Sequence, residues 1–129
     1  MSQGKLTTNG VHLRDHEYNT IKVLLDNGHD IELIPPSQIH GLPMPDFMMG
    51  GVPWEMKSPE GSGKKTIENT MKKAARQSGH VVIDLRRIGL PEEQALHQFE
   101  REFNKSKRIK QMKIITIDLV ILDFPSKSV

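Results

Sequence analysis

The sequence predicts a single α/β domain, a mixed β-sheet flanked by helices, and three observations carry that prediction. His80 to Leu85, the helical pattern after Pro91 and the apolar run Ile114 to Leu122 form a strand, helix, strand series, which implies a right-handed parallel crossover. Gly50-Gly51 between two apolar runs marks an antiparallel hairpin beside it. A length of 129 residues, with 36% hydrophobic and 26% charged side chains, suits one core rather than two.

Residues 1 to 10 hold Gly, Ser, Thr and Asn without periodicity and are expected to form a flexible arm ahead of a domain spanning 11 to 125. The first helix is predicted over Asp15 to Asp26, with Tyr18, Ile21, Leu24 and Leu25 on its apolar side and Asn27-Gly28 as its stop. Glu17 lies four positions before Ile21 and seven before Leu24, so it falls on the inward face, where a carboxylate needs a partner. The alternative is a helix-start Glu favoured by the macrodipole and turned to solvent. Asp30 to Ile34 reads as a strand ended by Pro35-Pro36, and a loop with Ser37, Gln38, His40, Gly41 and Pro43 leads into the hairpin. Ser58 to Gly63, rich in Ser, Pro and Gly, is a loop. A second helix is expected over Lys64 to Ser78, with Ile67, Met71, Ala74, Ala75 and Ser78 on one stripe. Lys64, Lys65, Lys72, Lys73 and Arg76 cover the remainder as a nucleic-acid-binding face, and Gln77 sits at the stripe's margin, where its amide can aim toward the hairpin. Leu96, Phe99 and Phe103 define the third helix. Ile114 to Leu122, apolar on both faces, reads as one interior strand.

With Gly50 and Gly51 central in a tight turn, pairing runs 49 with 52, 48 with 53, 47 with 54, and 46 with 55. Asp46 then faces Glu55, and two like charges so placed repel unless something neutralises them. Lys57 emerges on the same face by the period of two. Two carboxylates and an ammonium at one point suit metal-assisted hydrolysis of a phosphodiester. Mg²⁺ or Mn²⁺ takes oxygen ligands, retains waters and acidifies an attacking water, while a nearby lysine stabilises charge developing on phosphorus. A solvated sheet face with Lys57 paired to either acid fits the same spacing. The flanking Phe47, Met48, Met49, Val52, Trp54 and Met56 favour a buried setting, with Pro53 a complication for the ladder.

Composition narrows the chemistry further. Without cysteine, disulfide frameworks, thiolate zinc centres and cysteine nucleophiles are excluded, and a reducing cytoplasm is the expected setting. No apolar run approaches the ~20 residues of a membrane span, so no membrane partner is expected. The net charge of +2 hides a division: residues 1 to 56 carry three basic and seven acidic side chains, residues 57 to 113 fourteen and seven. An acidic half holding metal ligands and a basic half gripping phosphates is a nuclease pattern, although lysine-rich solvated helices give the same count. His12, His16, His29, His40, His80 and His97 lack diagnostic spacing for general acid-base or zinc chemistry. Gly61-Ser62-Gly63-Lys64-Lys65-Thr66 lacks the spacing of a nucleotide-binding loop. A metal-dependent endonuclease, a non-catalytic nucleic-acid-binding module, a DNA endonuclease and a histidine-dependent ribonuclease therefore stand side by side at this point.

Pro45-Asp46 followed by Glu55-Met56-Lys57, with Glu17 on a preceding helix, resembles the PD-(D/E)XK nuclease superfamily. That resemblance implies a restriction-endonuclease-like core in which Asp46 and Glu55 bind the metal and the Met56 carbonyl completes its coordination. It further implies that Lys57 serves the attacking water and Glu17 supports the site. Pro45-Asp46-Phe47, Trp54 to Pro59, Thr66 to Thr70 and Val81 to Leu85 together resemble the C-terminal tRNase toxin domain of CdiA-type contact-dependent growth inhibition proteins, over about Gly10 to Phe124. By that likeness the substrate is tRNA, the partner an immunity protein, and the domain is delivered at the end of a larger secreted polypeptide.

Overall fold

Consecutive glycines allow the tightest hairpin turn, and Gly50 and Gly51 take it, with φ of 61° and 81°. In the computed structural model, which describes residues 3–36 and 42–126, this turn joins β3 (Phe47–Met49) to β4 (Val52–Lys57). The remaining strands are β1 (Leu6–Thr7), β2 (Ile31–Leu33), β5 (His80–Asp84), β6 (Gln111–Ile115) and β7 (Ile121–Phe124), and all seven form one sheet in sequential order. Antiparallel pairs join β2 to β3, β3 to β4 and β6 to β7; β1 to β2, β4 to β5 and β5 to β6 are parallel. Each parallel step is spanned by a helix: α1 (Asp15–Asp26), α2 (Thr66–Gln77) and α3 (Glu92–Lys105).

Period-two alternation divides the core between the two sheet faces. Ile21, Leu24 and Leu25 of α1 pack with Leu33, Phe47, Trp54, Met56 and Val82. On the other face Ile67, Met71 and Ala74 of α2 and Phe99 of α3 pack with Val81, Ile83, Met112 and Ile114. Pro53 is accommodated because the β4–β5 ladder begins only at Glu55.

Several expectations need correction. The N-terminal segment is no arm from residue 4 onward: Gly4 N–H donates to Leu25 O at 2.7 Å, Lys5 N–H to Asp30 Oδ1 at 2.8 Å, and Leu6 pairs with Ile31. An open sheet edge recruits backbone groups whatever their side chains, so no hydrophobic period announces such a strand. Tyr18 is exposed rather than apolar-side, since the buried stripe of α1 runs through Thr20, Ile21, Val23, Leu24 and Leu25, beyond its first turn. The second helix is shorter at both ends than expected, leaving Lys64 and Lys65 in the turn before it, where Thr66 N–H donates to Gly63 O at 3.2 Å. Ile114 to Leu122 is not one strand. A turn over 117–120 divides it, with Leu119 at φ 65°, and it exposes Ile117, Leu119 and Val120. Apolar flanks conceal the turn, whose mark in the sequence is Asp118, the single charge between Ile114 and Leu122. Ser37, Gln38, His40 and Gly41 of the loop before the hairpin lie outside the described residues.

Candidate active site

The site grows from the β3–β4 hairpin. Phe47 pairs with Trp54, Met48 with Pro53 and Met49 with Val52, the register that the glycine turn dictates. One step further the pairing slips. Asp46 N–H donates to Trp54 O at 2.9 Å, an offset of one residue such as a β-bulge introduces, so Asp46 is not the simple ladder partner of Glu55 that equal spacing predicts. Its carboxylate is re-aimed along β4, where Oδ2 accepts the Met56 N–H at 2.9 Å. The two acids still meet: Asp46 and Glu55 come within hydrogen-bonding reach of each other. Lys57 Nζ stands 3.0 Å from Glu55 Oε2, which completes the cluster.

Burial makes this pair unusual. Glu55 is only 2% exposed, and burial, followed by the negative charge of Asp46, pushes its carboxyl up to about 8 despite the pull of Lys57. Asp46 is also raised by burial, against the Met56 N–H, Glu55 and Lys57, with Glu17 adding a further upward push. A hydrogen bond between two carboxyls requires a proton on one of them, so near neutral pH the cation-free pair titrates as a unit sharing that proton. Glu55 Oε1 is buried with no hydrogen-bond donor among the described residues when both acids are ionised.

Glu17 approaches from the first turn of α1, where its Oε1 accepts the Arg14 N–H at 2.8 Å. It lines a 460 Å³ cavity together with His12, Asp46, Met56 and Gln77. Gln77, the last residue of α2, is held there because the adjacent Ser78 Oγ donates to Pro53 O at 2.8 Å. Lys57 lines a neighbouring 410 Å³ cleft with Ser58, Asn69, Thr70 and Lys73. The basic residues divide. Lys64, Lys65, Lys72, Lys73 and Arg76 are all exposed, but Lys72 pairs with Glu68 at 3.2 Å and Arg76 lies beside Arg108 in a separate depression. Lys73 alone of the five shares a cleft with Lys57 among the described residues. Asn69 and Thr70 join the cleft without a motif of their own; the polar stripe Thr66, Asn69, Thr70, Lys73 at helical spacing is the signal that finds them.

Among the described residues, no group of three or more His, Asp or Glu side chains is arranged to hold a metal. Asp46, Glu55 and the Met56 carbonyl offer oxygen alone, without the imidazole or thiolate donors of a zinc centre. That set, together with the donorless Glu55 Oε1, fits a hard divalent cation that keeps several waters.

Residues 43–119 match the family model of the contact-dependent growth inhibition CdiA C-terminal domain. The chain belongs to this family. The matched span of this CdiA C-terminal domain contains Asp46, Glu55, Lys57 and Gln77 and leaves Glu17 outside it. Among solved structures it is similar to a chain of the CdiA-CT/CdiI toxin and immunity complex from Burkholderia pseudomallei, with 14% sequence identity and a TM-score of 0.65 over 94% of this chain and 98% of that one. At such identity the likeness concerns the fold. No curated protein sequence matches the chain.

Proposed function

We propose that this CdiA C-terminal domain is a Mg²⁺- or Mn²⁺-dependent endonuclease with a PD-(D/E)XK-type core, acting as a toxin on tRNA. The observation that carries this reading is the buried Asp46–Glu55 pair with Lys57 at 3.0 Å. Asp46, Glu55 and the Met56 carbonyl would hold the cation. When bound, the cation would neutralise the pair, acidify the attacking water and offset charge on the phosphate. Lys57 orients that water and stabilises negative charge building on the phosphoryl oxygens. Glu17, through the negative potential it adds at Asp46, keeps the site receptive to a cation. The Gln77 amide donates to the substrate from the far wall of the cavity, and the exposed lysines of α2 with Arg76 attract backbone phosphates. Family membership supports growth-inhibiting, nuclease-like toxicity and delivery as the terminal part of a larger polypeptide, and the toxin and immunity complex whose chain shares this fold supports neutralisation by an immunity protein. No helix among the described residues is long and apolar enough to cross a membrane.

The experiment is incubation with total tRNA and with duplex DNA, with and without chelator. Cleavage of tRNA that stops on chelation and in Glu55→Ala is the expected result; cleavage indifferent to both overturns the reading. The exposed Lys64, Lys65, Lys72, Lys73 and Arg76 favour a second reading, a binding module without turnover. It predicts salt-sensitive tRNA binding and no cleavage under any metal.

A further inference from the structure

We infer that the 410 Å³ cleft between α2 and the loop after β4 is a second phosphate subsite, holding the backbone phosphate next to the scissile one. This rests on the nuclease reading above. Its lining is rich in donors and poor in free acceptors. Lys73 is exposed and has no carboxylate within salt-bridge distance among the described residues. The nearby acids are already engaged, Glu60 with Arg87 and Glu68 with Lys72. Ser58 Oγ is buried with no partner among the described residues, and Ser58 lines both this cleft and the one beside Asp84 and Arg86. Thr66 Oγ1 accepts the Gly63 N–H at 3.1 Å, which leaves its own hydrogen free to donate. Gly61 keeps that hydroxyl accessible, because at φ 87° a Cβ there would lie 2.7 Å from Thr66 Oγ1. An ammonium, the Thr66 hydroxyl and the Asn69 amide lining one cleft recognise an anion rich in acceptor oxygens. Lys57 forms one wall of the cleft and also binds Glu55, so an anion here adjoins the proposed cleavage point. A strand phosphate fits better than a free ion, since the cleft opens beside the active site and not at a separate surface.

The test uses fluorescent RNA oligonucleotides carrying a single neutral methylphosphonate at successive linkages, with binding followed by anisotropy in chelator. Wild type is expected to lose affinity several-fold at one linkage adjacent to the cleavage point mapped separately with Mg²⁺. Lys73→Gln should bind that modified strand and the unmodified one equally, and its log K against log salt slope should be shallower by about 0.7. An unchanged penalty in Lys73→Gln overturns the subsite, as does inorganic phosphate binding in a Lys73-dependent way as tightly as the strand. If the Lys73-dependent penalty appears while no metal supports cleavage, the subsite stands and the nuclease reading fails. Cleavage without any such penalty has the opposite meaning.

Discussion

Two carboxylates on neighbouring central strands, Glu55 of β4 and Asp84 of β5, are equally buried at 2% exposure and live in opposite electrostatic worlds. Burial pushes Asp84 up as well, but it is outweighed: Arg86 donates through Nη2 at 2.7 Å and Nε at 3.0 Å, the Thr20 hydroxyl at 2.7 Å and the Arg86 N–H at 3.1 Å, leaving Asp84 below the ordinary carboxylate range. Glu55 has one ammonium on Oε2, a second acid beside it and a donorless Oε1. Asp84 is a completed network that pins α1 to the sheet, since Arg86 Nη2 also donates to Asn19 O at 2.9 Å. Glu55 is an incomplete one. A buried polar group left short of partners is destabilising, which is why the proposed function assigns this one a ligand.

The largest expected effect follows from that asymmetry. Glu55→Ala should lower the proposed metal-dependent cleavage by about three orders of magnitude, the loss that several kcal/mol of cation stabilisation implies. The same substitution should leave urea stability in chelator unchanged or improved, because it removes an unfavourable buried acid. Asp84→Ala should do the reverse: about 3 kcal/mol lost in urea unfolding, because the guanidinium of Arg86 loses its partner, with cleavage retained at temperatures where the variant is folded.

The sequence discloses one of these clusters far better than the other. The glycine pair fixes the hairpin register, and the register brings Asp46, Glu55 and Lys57 together by counting alone. Counting misses the slip at Asp46, because a bulge arises from backbone hydrogen bonding that no side-chain period encodes. The span of α1 was legible from its periodicity and its Asn27-Gly28 stop, though not the exposure of Tyr18, whereas β1 and the turn that separates β6 from β7 were not legible. The Asp84 network is non-local, joining residues 20 and 84 across the fold, and nothing in either segment alone predicts it. Thr66, Asn69, Thr70 and Lys73 show a polar stripe in the sequence, yet its meaning depends on the facing loop that forms the cleft.

Acidity separates the two carboxylates next. Asp84 is lowered in the fold, so its contribution is present above the unfolded value of 3.8 and is lost as pH falls through the folded one. Glu55 is raised from 4.5 to about 8, so between these values the native state holds more proton than the unfolded chain and stability falls as pH rises. In chelator, wild type should therefore lose stability relative to Glu55→Gln from about pH 5 to pH 8. Added Mg²⁺ should restore it most at the alkaline end, where the cation no longer competes with a proton. Urea titrations of both proteins across pH, with and without Mg²⁺, measure this; a stability difference that does not vary with pH contradicts the shared-proton assignment.

The smallest effect tests how far the two clusters are independent. Thr20 Oγ1 lies 2.7 Å from Asp84 Oδ2 and 3.2 Å from His16 O, and its single hydrogen goes to the nearer, charged acceptor. Thr20→Val keeps the shape and removes that donor, so about 1.5 kcal/mol should be lost and Asp84 should titrate closer to its ordinary range. Thr20 sits one turn beyond Glu17 on α1, so a slackened anchor would reach the active site only by moving that helix. Arg86 still ties Asn19 O to the sheet, and α1 should hold its place. Carboxylate NMR titration should then show Asp84 shifted and Glu55 unmoved, and cleavage within about twofold of wild type. A concerted shift of both would mean that the satisfied network sets the geometry of the unsatisfied one.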